Sequence, residues 1–303
     1  MTPPNLAPLA DPELAPRTKK ADWLFRIGLT IVTVVTALAV VGPHIGPYDP
    51  TLTTPRVAVA PPSLTEIPGL LSGWIAGTLE HPPHWMGTDA SGYDIFSRVI
   101  AAPRTDLMIA LSANALSLFI GVFLGLVAGY FRNWATELLM RVSDVMQSFP
   151  VFISAMVLVA LAGRSTTNIV IALAFVYVPI YVRLTRAEVL TQTSRGFVEA
   201  ARAIGQPELK IALRHVLPNS MTPALIQSSV TIGFAILLTA GLSFVGAGVR
   251  PPTPEWGLMI STGANQIILG EWWPSVFPGI AISLTVFGFA VLGNALERRY
   301  EGA

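Results

Sequence analysis

Six long apolar runs leave this chain of 303 residues little choice of fold. They are Trp23 to Gly42, Leu107 to Phe131, Val145 to Gly163, Asn168 to Val182, Asn219 to Val249 and Pro274 to Leu296. Each is near the roughly 20 residues that a helix needs to cross about 30 Å of hydrocarbon. The fourth is the shortest and reaches Glu188 if Arg183 and Arg186 snorkel. Apart from Arg26 at the head of the first run, none contains Asp, Glu, Lys, Arg or His. A composition that is 52% hydrophobic and 12% charged fits the same class. The expectation is an all-α integral membrane protein with six transmembrane helices.

Charge placement orients it. With six spans and the N-terminus inside, the inner segments hold Arg17, Lys19, Lys20 and Arg26, then Arg132 and Arg141, then Arg183, Arg186, Arg195, Arg202, Lys210 and Arg214, then Arg298 and Arg299. Fourteen of the nineteen Lys and Arg residues therefore fall on one side, as the positive-inside rule asks of a cytoplasmic face. Both termini are expected in the cytoplasm. The chain divides into a proline-rich, disordered cytoplasmic tail (1–21), a first transmembrane helix (22–42), an outer loop (43–106) and a five-helix core (107–303). That core carries a cytoplasmic loop at about 194–218 and a second outer loop at 250–273. The Ala37-Leu38-Ala39 triplet lies inside the first apolar run rather than after it, so that run is expected to be a retained span rather than a cleaved leader.

Several chemistries are excluded. Without cysteine there is no disulfide, thiolate metal site or thiol nucleophile, and four scattered histidines do not make a metal cage. A net charge of +1 argues against nucleic acid as a partner. No phosphate-binding loop, H-E-x-x-H or G-x-S-x-G elbow occurs, so no catalytic residue, metal or nucleotide site is expected in this chain. Charge-free spans also tell against a self-sufficient carrier or channel, which needs an ionisable coupling site or a filter at membrane depth. A scaffold without transport activity is the third class. Neutral polar groups remain in the spans: Asn114, Ser117, Gln227 and Ser228 either line a path for a polar solute or bond helix to helix. Gly121, Gly125 and Gly129 recur every four residues, which suits close helix approach or a moving gate.

The stretch EAARAIGQPELKIALRHVLPN stands apart, polar and small-residued between two spans. Its spacing predicts a short amphipathic helix with Phe197, Ala200, Ala201 and Ile204 on one face, and Glu199 paired with Arg195 or Arg202. Gly205 fits a left-handed C-terminal cap, and Pro207 opens a second helix running to about His215. Small alanines let such a helix sink into a groove on another protein; a helix resting on lipid headgroups is the alternative.

The same segment resembles the EAA loop of ABC-importer permeases, E-A-A-x3-G-x9-I-x-L-P. Glu199, Ala200, Ala201, Gly205, Leu217 and Pro218 match, and His215 replaces the isoleucine. In that family the loop is the coupling helix seated on the ATPase subunit, so the resemblance makes these six positions the contact to the motor. HWMGTDASGYDIFSRV is similar to the outer-loop motif of the second permease of dipeptide, oligopeptide and nickel importers, G-T-D-x-x-G-R-D-x-x-S-R. Gly87, Thr88, Asp89, Gly92, Asp94, Ser97 and Arg98 match. Tyr93 stands in place of an arginine there, and APRTDL departs from G-A-R-x-S-L. ELLMRVSDVMQSFP, LSFVGAGVRPPTPEWGLMI and WWPSVFPGIAISLTVFGFAVLGNAL match the same branch.

The resemblance implies a type I permease fold in the bacterial inner membrane and a peptide as solute, with nickel, glutathione or an opine-like compound as alternatives. It also implies a nonidentical second permease, two ATP-binding subunits that supply ATP and Mg, and an extracytoplasmic solute-binding protein. The Gly and Asp spacing through Gly87 to Asp94 suits tight turns as well as solute contact. Trp256, Trp272 and Trp273 are expected as interfacial anchors, and Asp144 as a helix cap or a partner of Arg141.

Overall fold

A computed structural model describes residues 19–301, so the tail expected at 1–21 lies almost wholly outside the described residues. Apart from one isolated bridge between Thr88 and Asp94, all regular structure among them is helical. In chain order the helices are α1 (Lys19–Ile45), α2 (Ile67–Ile75), α3 (Ile95–Tyr130), α4 (Trp134–Ser148), α5 (Val151–Ala162) and α6 (Thr166–Thr193). Then follow α7 (Gly196–Ala203), α8 (Glu208–Ile211), a π turn (Ala212–Val216), α9 (Leu217–Ser220), α10 (Thr222–Phe244), α11 (Trp256–Ala264) and α12 (Trp273–Glu301). Five of these, α1, α3, α6, α10 and α12, are long and apolar enough to cross a membrane.

The third expected span is not one helix. Pro150 disfavours helical geometry at the residue before it, and Phe149 is accordingly extended (φ −91°, ψ 143°). The chain breaks there, and α4 and α5 meet at 94°. Alone, the 12 residues of α5 reach only about 18 Å at 1.5 Å per residue, so a sixth crossing exists only if the bent pair acts as one.

The second span starts far earlier than the apolar run at Leu107. Asp94 caps α3 by accepting the Ser97 N–H at 2.8 Å, and the helix runs on through Pro103 and Asp106. The boundary read at 106/107 therefore falls inside a helix, because buried charged residues in its first turns interrupt the apolar run without interrupting the backbone. Likewise α6 continues past Val182 to Thr193, starting from the Ser165 cap on Asn168 N–H (3.1 Å).

The glycine stripe is the seam between α3 and α6. A Cβ on Gly121 would lie 2.3 Å from Tyr181 Cβ, and one on Gly129 2.7 Å from Val189 Cγ1. Bare backbone is what lets these two helices touch along their length. Helix α1 packs on α3 and α12, where Gly42 leaves room for the Ile100 carbonyl, and α10 fills the angle between α3 and α12. One apolar core, including Ile109, Leu173, Ile236 and Leu242, joins these spans to α11; a second, of Leu126, Val189, Val198, Ile211 and Val216, roots the α7–α9 hairpin.

Candidate coupling hairpin and translocation path

Helix α7 turns Val198 and Ala201 inward, onto Leu126 of α3 and Val189 of α6. Of the face expected from spacing, only Ala201 is buried; Phe197, Ala200 and Ile204 are exposed, and Glu199 with them. The inward face is one residue out of the expected register because the compact Val198 side chain, not the larger Phe197, fills the narrow gap between α3 and α6. Gly205 ends the helix at φ +79°, with its N–H on the Arg202 carbonyl (2.9 Å) and the Gln206 N–H on the Ala201 carbonyl (3.1 Å). That pair of bonds is the Schellman arrangement. Pro207 then caps α8, and His215 Nε2 meets Gln206 Oε1 at 3.1 Å to close the hairpin.

Arg202 does not pair with Glu199. It donates to Glu208 at 2.8 and 3.2 Å, and the Tyr130 hydroxyl donates to the same carboxylate, tying the last turn of α3 to the hairpin. The Arg202 guanidinium and Tyr130 hydroxyl hold the Glu208 carboxyl below its usual range. Leu217 is half-buried between the two inner clusters and Pro218 is exposed. The hairpin thus has an apolar root and an outward face on which Phe197, Ala200, Ile204, Leu209 and Leu213 lie open.

At the other end, called outer here after the charge distribution, Gly87 to Arg98 is turn architecture. Asp89 Oδ1 accepts the Ser91 and Tyr93 N–H groups, both at 2.9 Å, and burial pushes its carboxyl up. Thr88 Oγ1 accepts the Val59 N–H (2.9 Å), Gly92 (φ +86°) takes the Thr54 N–H on its carbonyl (2.8 Å), and Asp94 also holds His84 Nδ1 at 2.7 Å. Gly87 (φ +76°) leaves space that the Val59 carbonyl fills. Arg98, 4% exposed, donates to the carbonyls of Pro50 (3.0 Å), Pro252 (3.1 Å) and Thr253 (3.3 Å). Its guanidinium lies 4.3 Å from the Tyr93 ring, so the tyrosine that replaces the family's arginine supplies a cation–π shelf.

Arg98 therefore staples the two outer segments together. Arg98→Lys keeps the charge but cannot reach three carbonyls at once. Losing one such charge-assisted bond costs roughly 2 kcal/mol. The expected outcome is faster proteolytic nicking within 46–94 and 250–253, with the helical fragments intact; limited proteolysis followed by mass spectrometry checks it.

Two of the three tryptophans expected as interfacial anchors are instead core pins. Trp256 Nε1 donates to the Val99 carbonyl (3.0 Å) and Trp273 Nε1 to the Thr88 carbonyl (2.9 Å), both rings buried; only Trp272 is substantially exposed. Their indole N–H groups find backbone partners across the fold, which removes the reason to sit at the lipid boundary. Two acids escaped the sequence reading. Glu255 is wholly buried and caps α11 by accepting the Gly257 (2.8 Å) and Leu258 (2.6 Å) N–H groups, while Asp106 takes the Trp256 N–H at 3.3 Å. Burial pushes the Glu255 carboxyl up. The available signal for Asp106 was its position in APRTDL, where the similar motif has serine.

Between these ends a cavity of about 540 Å³ opens among α5, α6 and α10, lined by Phe152, Tyr177, Gln227, Thr231 and Phe234 among others. Of the expected path residues, Gln227 borders it. Asn114 and Ser228 are joined through the Tyr181 hydroxyl, at 2.5 Å and 3.4 Å, in a bond network linking α3, α6 and α10. Ser117 is buried and donates to its own helix at the Asn114 carbonyl. Asp144 lies within α4 and pairs with Arg183 of α6 at 2.5 Å, rather than capping a helix or meeting Arg141. The helix break at Phe149 places Asp144 a turn before the end of α4, facing α6. Half exposed, the pair contributes at most about 1 kcal/mol. Among the described residues no three His, Cys, Asp or Glu side chains come together as metal ligands.

Spans joined by bare-backbone seams, a short rooted hairpin with an open apolar face, and a cavity between spans lined without Asp, Glu, Lys, Arg or His suit the membrane-embedded component of a transporter. Residues 121–302 match the family described as binding-protein-dependent transport system inner membrane component, and the chain belongs to that family. It is similar to the di/tripeptide transport system permease protein DppC of Pseudomonas aeruginosa (strain UCBPP-PA14), 37% identical over 96% of this chain and 94% of the relative. The dipeptide transport system permease protein DppC of Alkalihalophilus pseudofirmus is 36% identical over 92% and 85%. The glutathione transport system permease protein GsiD of Pectobacterium atrosepticum is 37% identical over 71% of each chain. The chain is thus a multi-pass inner-membrane permease subunit of the ABC importer class with the type I fold, and the family works, in general, with a partner permease, ATPase subunits and a binding protein.

Proposed function

We propose that this chain forms half of the translocation path of an ATP-driven importer of di- or oligopeptides. It pairs with a nonidentical permease in an assembly with two ATP-binding subunits, one of which seats on the α7–α9 hairpin, and it receives solute from an extracytoplasmic binding protein. Glu199, Ala200, Ala201, Gly205, Leu217 and Pro218 set the contact to the motor: Glu199, Ala200 and Pro218 on the open face, Ala201 and Leu217 on the root, Gly205 at the bend. The observation that carries the reading is that one small hairpin has both an apolar root in α3 and α6 and an uncovered apolar face. A push on that face moves α6, which holds part of the hairpin's root and also borders the cavity. Gln227 and Thr231 offer the cavity's neutral hydrogen-bonding groups, as a path for varied peptides requires. Peptide is preferred to glutathione because the peptide-named relatives match nearly the full length.

Gentle solubilisation of native membranes holding the tagged chain, with mass spectrometry of what copurifies, tests this. A second permease and ATPases in stoichiometric amounts, with ATP-dependent dipeptide uptake after reconstitution, are expected. Purification alone, with solute movement in liposomes without ATP, would establish the carrier reading in its place.

A further inference from the structure

Helix α2 (Ile67–Ile75) is the one helix of eight or more residues, among those whose burial is fully described, with no buried residue. Its outward stripe is apolar: Leu64 just before it is 87% exposed, Leu71 43%, Trp74 45% and Ile75 78%. The opposite side, through Ile67, Leu70 and Gly73, is half-buried, with Leu79 against Gly73. No charged side chain lies within Ile67–Ile75, and Ser72 is its only polar one. Such a stripe on a polar outer segment needs an occupant.

Its tethers fix where it sits. On one side the segment that follows α2 returns to the outer end of α1: His84 stacks on Tyr48 with centroids 4.4 Å apart, and the Tyr48 hydroxyl donates to the Pro82 carbonyl. On the other side Trp74 meets Trp85 edge-on at 5.8 Å, and three residues later the Thr88 carbonyl accepts the indole N–H of Trp273, the first residue of α12. Helix α2 is therefore held at the level where α1 ends and α12 begins, the boundary of the hydrocarbon. The exposed Trp272 packs at that same level on Trp273 and Phe277. Indole rings that are apolar in body and polar at one edge favour this depth. The neighbouring α1 is the least buried of the five long spans, with 11% of its apolar window covered, so the stripe continues an already apolar flank.

We propose that α2 is an interfacial helix that seats its Leu64–Leu71–Ile75 stripe in the outer leaflet, at the boundary of headgroups and acyl chains. A protein partner fits less well, since from Leu64 to Ile75 the segment carries one charge, Glu66, whose carboxylate accepts the Ser63 N–H at 2.8 Å, and only the hydroxyls of Thr65 and Ser72, little with which to form a polar rim. Seated about 5–10 Å into the boundary, it anchors the outer cap to the bilayer beside the mouth of the path.

The chain contains no cysteine, so Leu71→Cys, Ile75→Cys and Glu80→Cys each give one labelling site in it, and the unsubstituted assembly labelled in parallel gives the signal of its other subunits to subtract. These positions are exposed, so the full chain with its copurifying subunits tolerates a bimane label at each in nanodiscs of phosphatidylethanolamine and phosphatidylglycerol. At positions 71 and 75, doxyl-labelled phosphatidylcholine is expected to quench most of the emission while iodide quenches little; at position 80 the order reverses. Quenching of 71 and 75 by iodide as strongly as 80 overturns the proposal, because the stripe then lies in water. Protection from both quenchers overturns it too, because a protein then covers the stripe.

Discussion

A Gly125→Leu chain is expected to fail to accumulate as folded protein, and Gly125→Ala to accumulate with a clearly lowered midpoint of heat-induced aggregation in detergent. The cause is the seam between α3 and α6. A Cβ at Gly125 would lie 2.7 Å from Thr185 Cβ and 2.8 Å from the Val182 carbonyl, so even one methyl forces two helix backbones apart. Overpacking of this kind costs about 1–3 kcal/mol when the neighbours can give, and a backbone carbonyl gives least. Leucine adds three more carbons at a position with Gly121 and Gly129 equally tight on either side. Because the same two helices hold the root of the hairpin, the damage extends to Val198 and Ile211. Size-exclusion chromatography after graded heating measures the effect; an unchanged midpoint for the leucine variant would mean that the two helices separate freely.

Gly205→Val is expected to insert and accumulate normally yet lose solute-dependent stimulation of ATP hydrolysis and transport. Here the obstacle is conformational: a Cβ at Gly205 meets nothing within 4 Å, but φ is +79°. A β-branched residue held there costs about 1–3 kcal/mol, which an exposed hairpin relieves by opening its bend. The Gln206 N–H then leaves the Ala201 carbonyl, and the open face turns relative to its root. Gly205→Asn should restore part of the coupling, since asparagine tolerates the left-handed region. Uptake and ATP hydrolysis measured together in proteoliposomes decide it; a valine variant with full ATP-driven uptake would falsify the assignment of this hairpin as the coupling element.

Local chemistry was legible in the sequence, and long-range chemistry was not. The bend at Gly205 and Pro207 and the glycine seam follow from residue types whose conformational or steric needs are met nearby. By contrast, the apolar pattern starts α3 at Leu107 because Arg98 and Asp106 look like loop residues, and their partners are Thr253 and Trp256, some 150 positions away. Trp256 and Trp273 look like lipid-boundary anchors in sequence for the same reason: each indole finds its acceptor on a remote segment. Arg202 had a plausible neighbour in Glu199, but the turn at Gly205 brings Glu208 back to it, and helical spacing takes no account of a turn. The break at Phe149 was masked by the unbroken apolarity around Pro150, since hydropathy reports what a segment is soluble in and not whether it is straight.

That break also governs the parity of the chain. Five straight crossings would leave Arg26 and the Arg298–Arg299 pair on opposite sides of the bilayer, setting one cluster of positive charge against the rule that keeps such clusters together. Only an even number of passages returns both ends to one compartment. If both ends share a compartment, as the charge placement favours, the elbow between α4 and α5 completes a passage despite its right angle. The Pro150 carbonyl is taken by the Ser154 N–H (3.0 Å), but the backbone groups exposed at Ser148 and Phe149 then require water or a neighbouring subunit at a depth where lipid can satisfy neither N–H nor C=O.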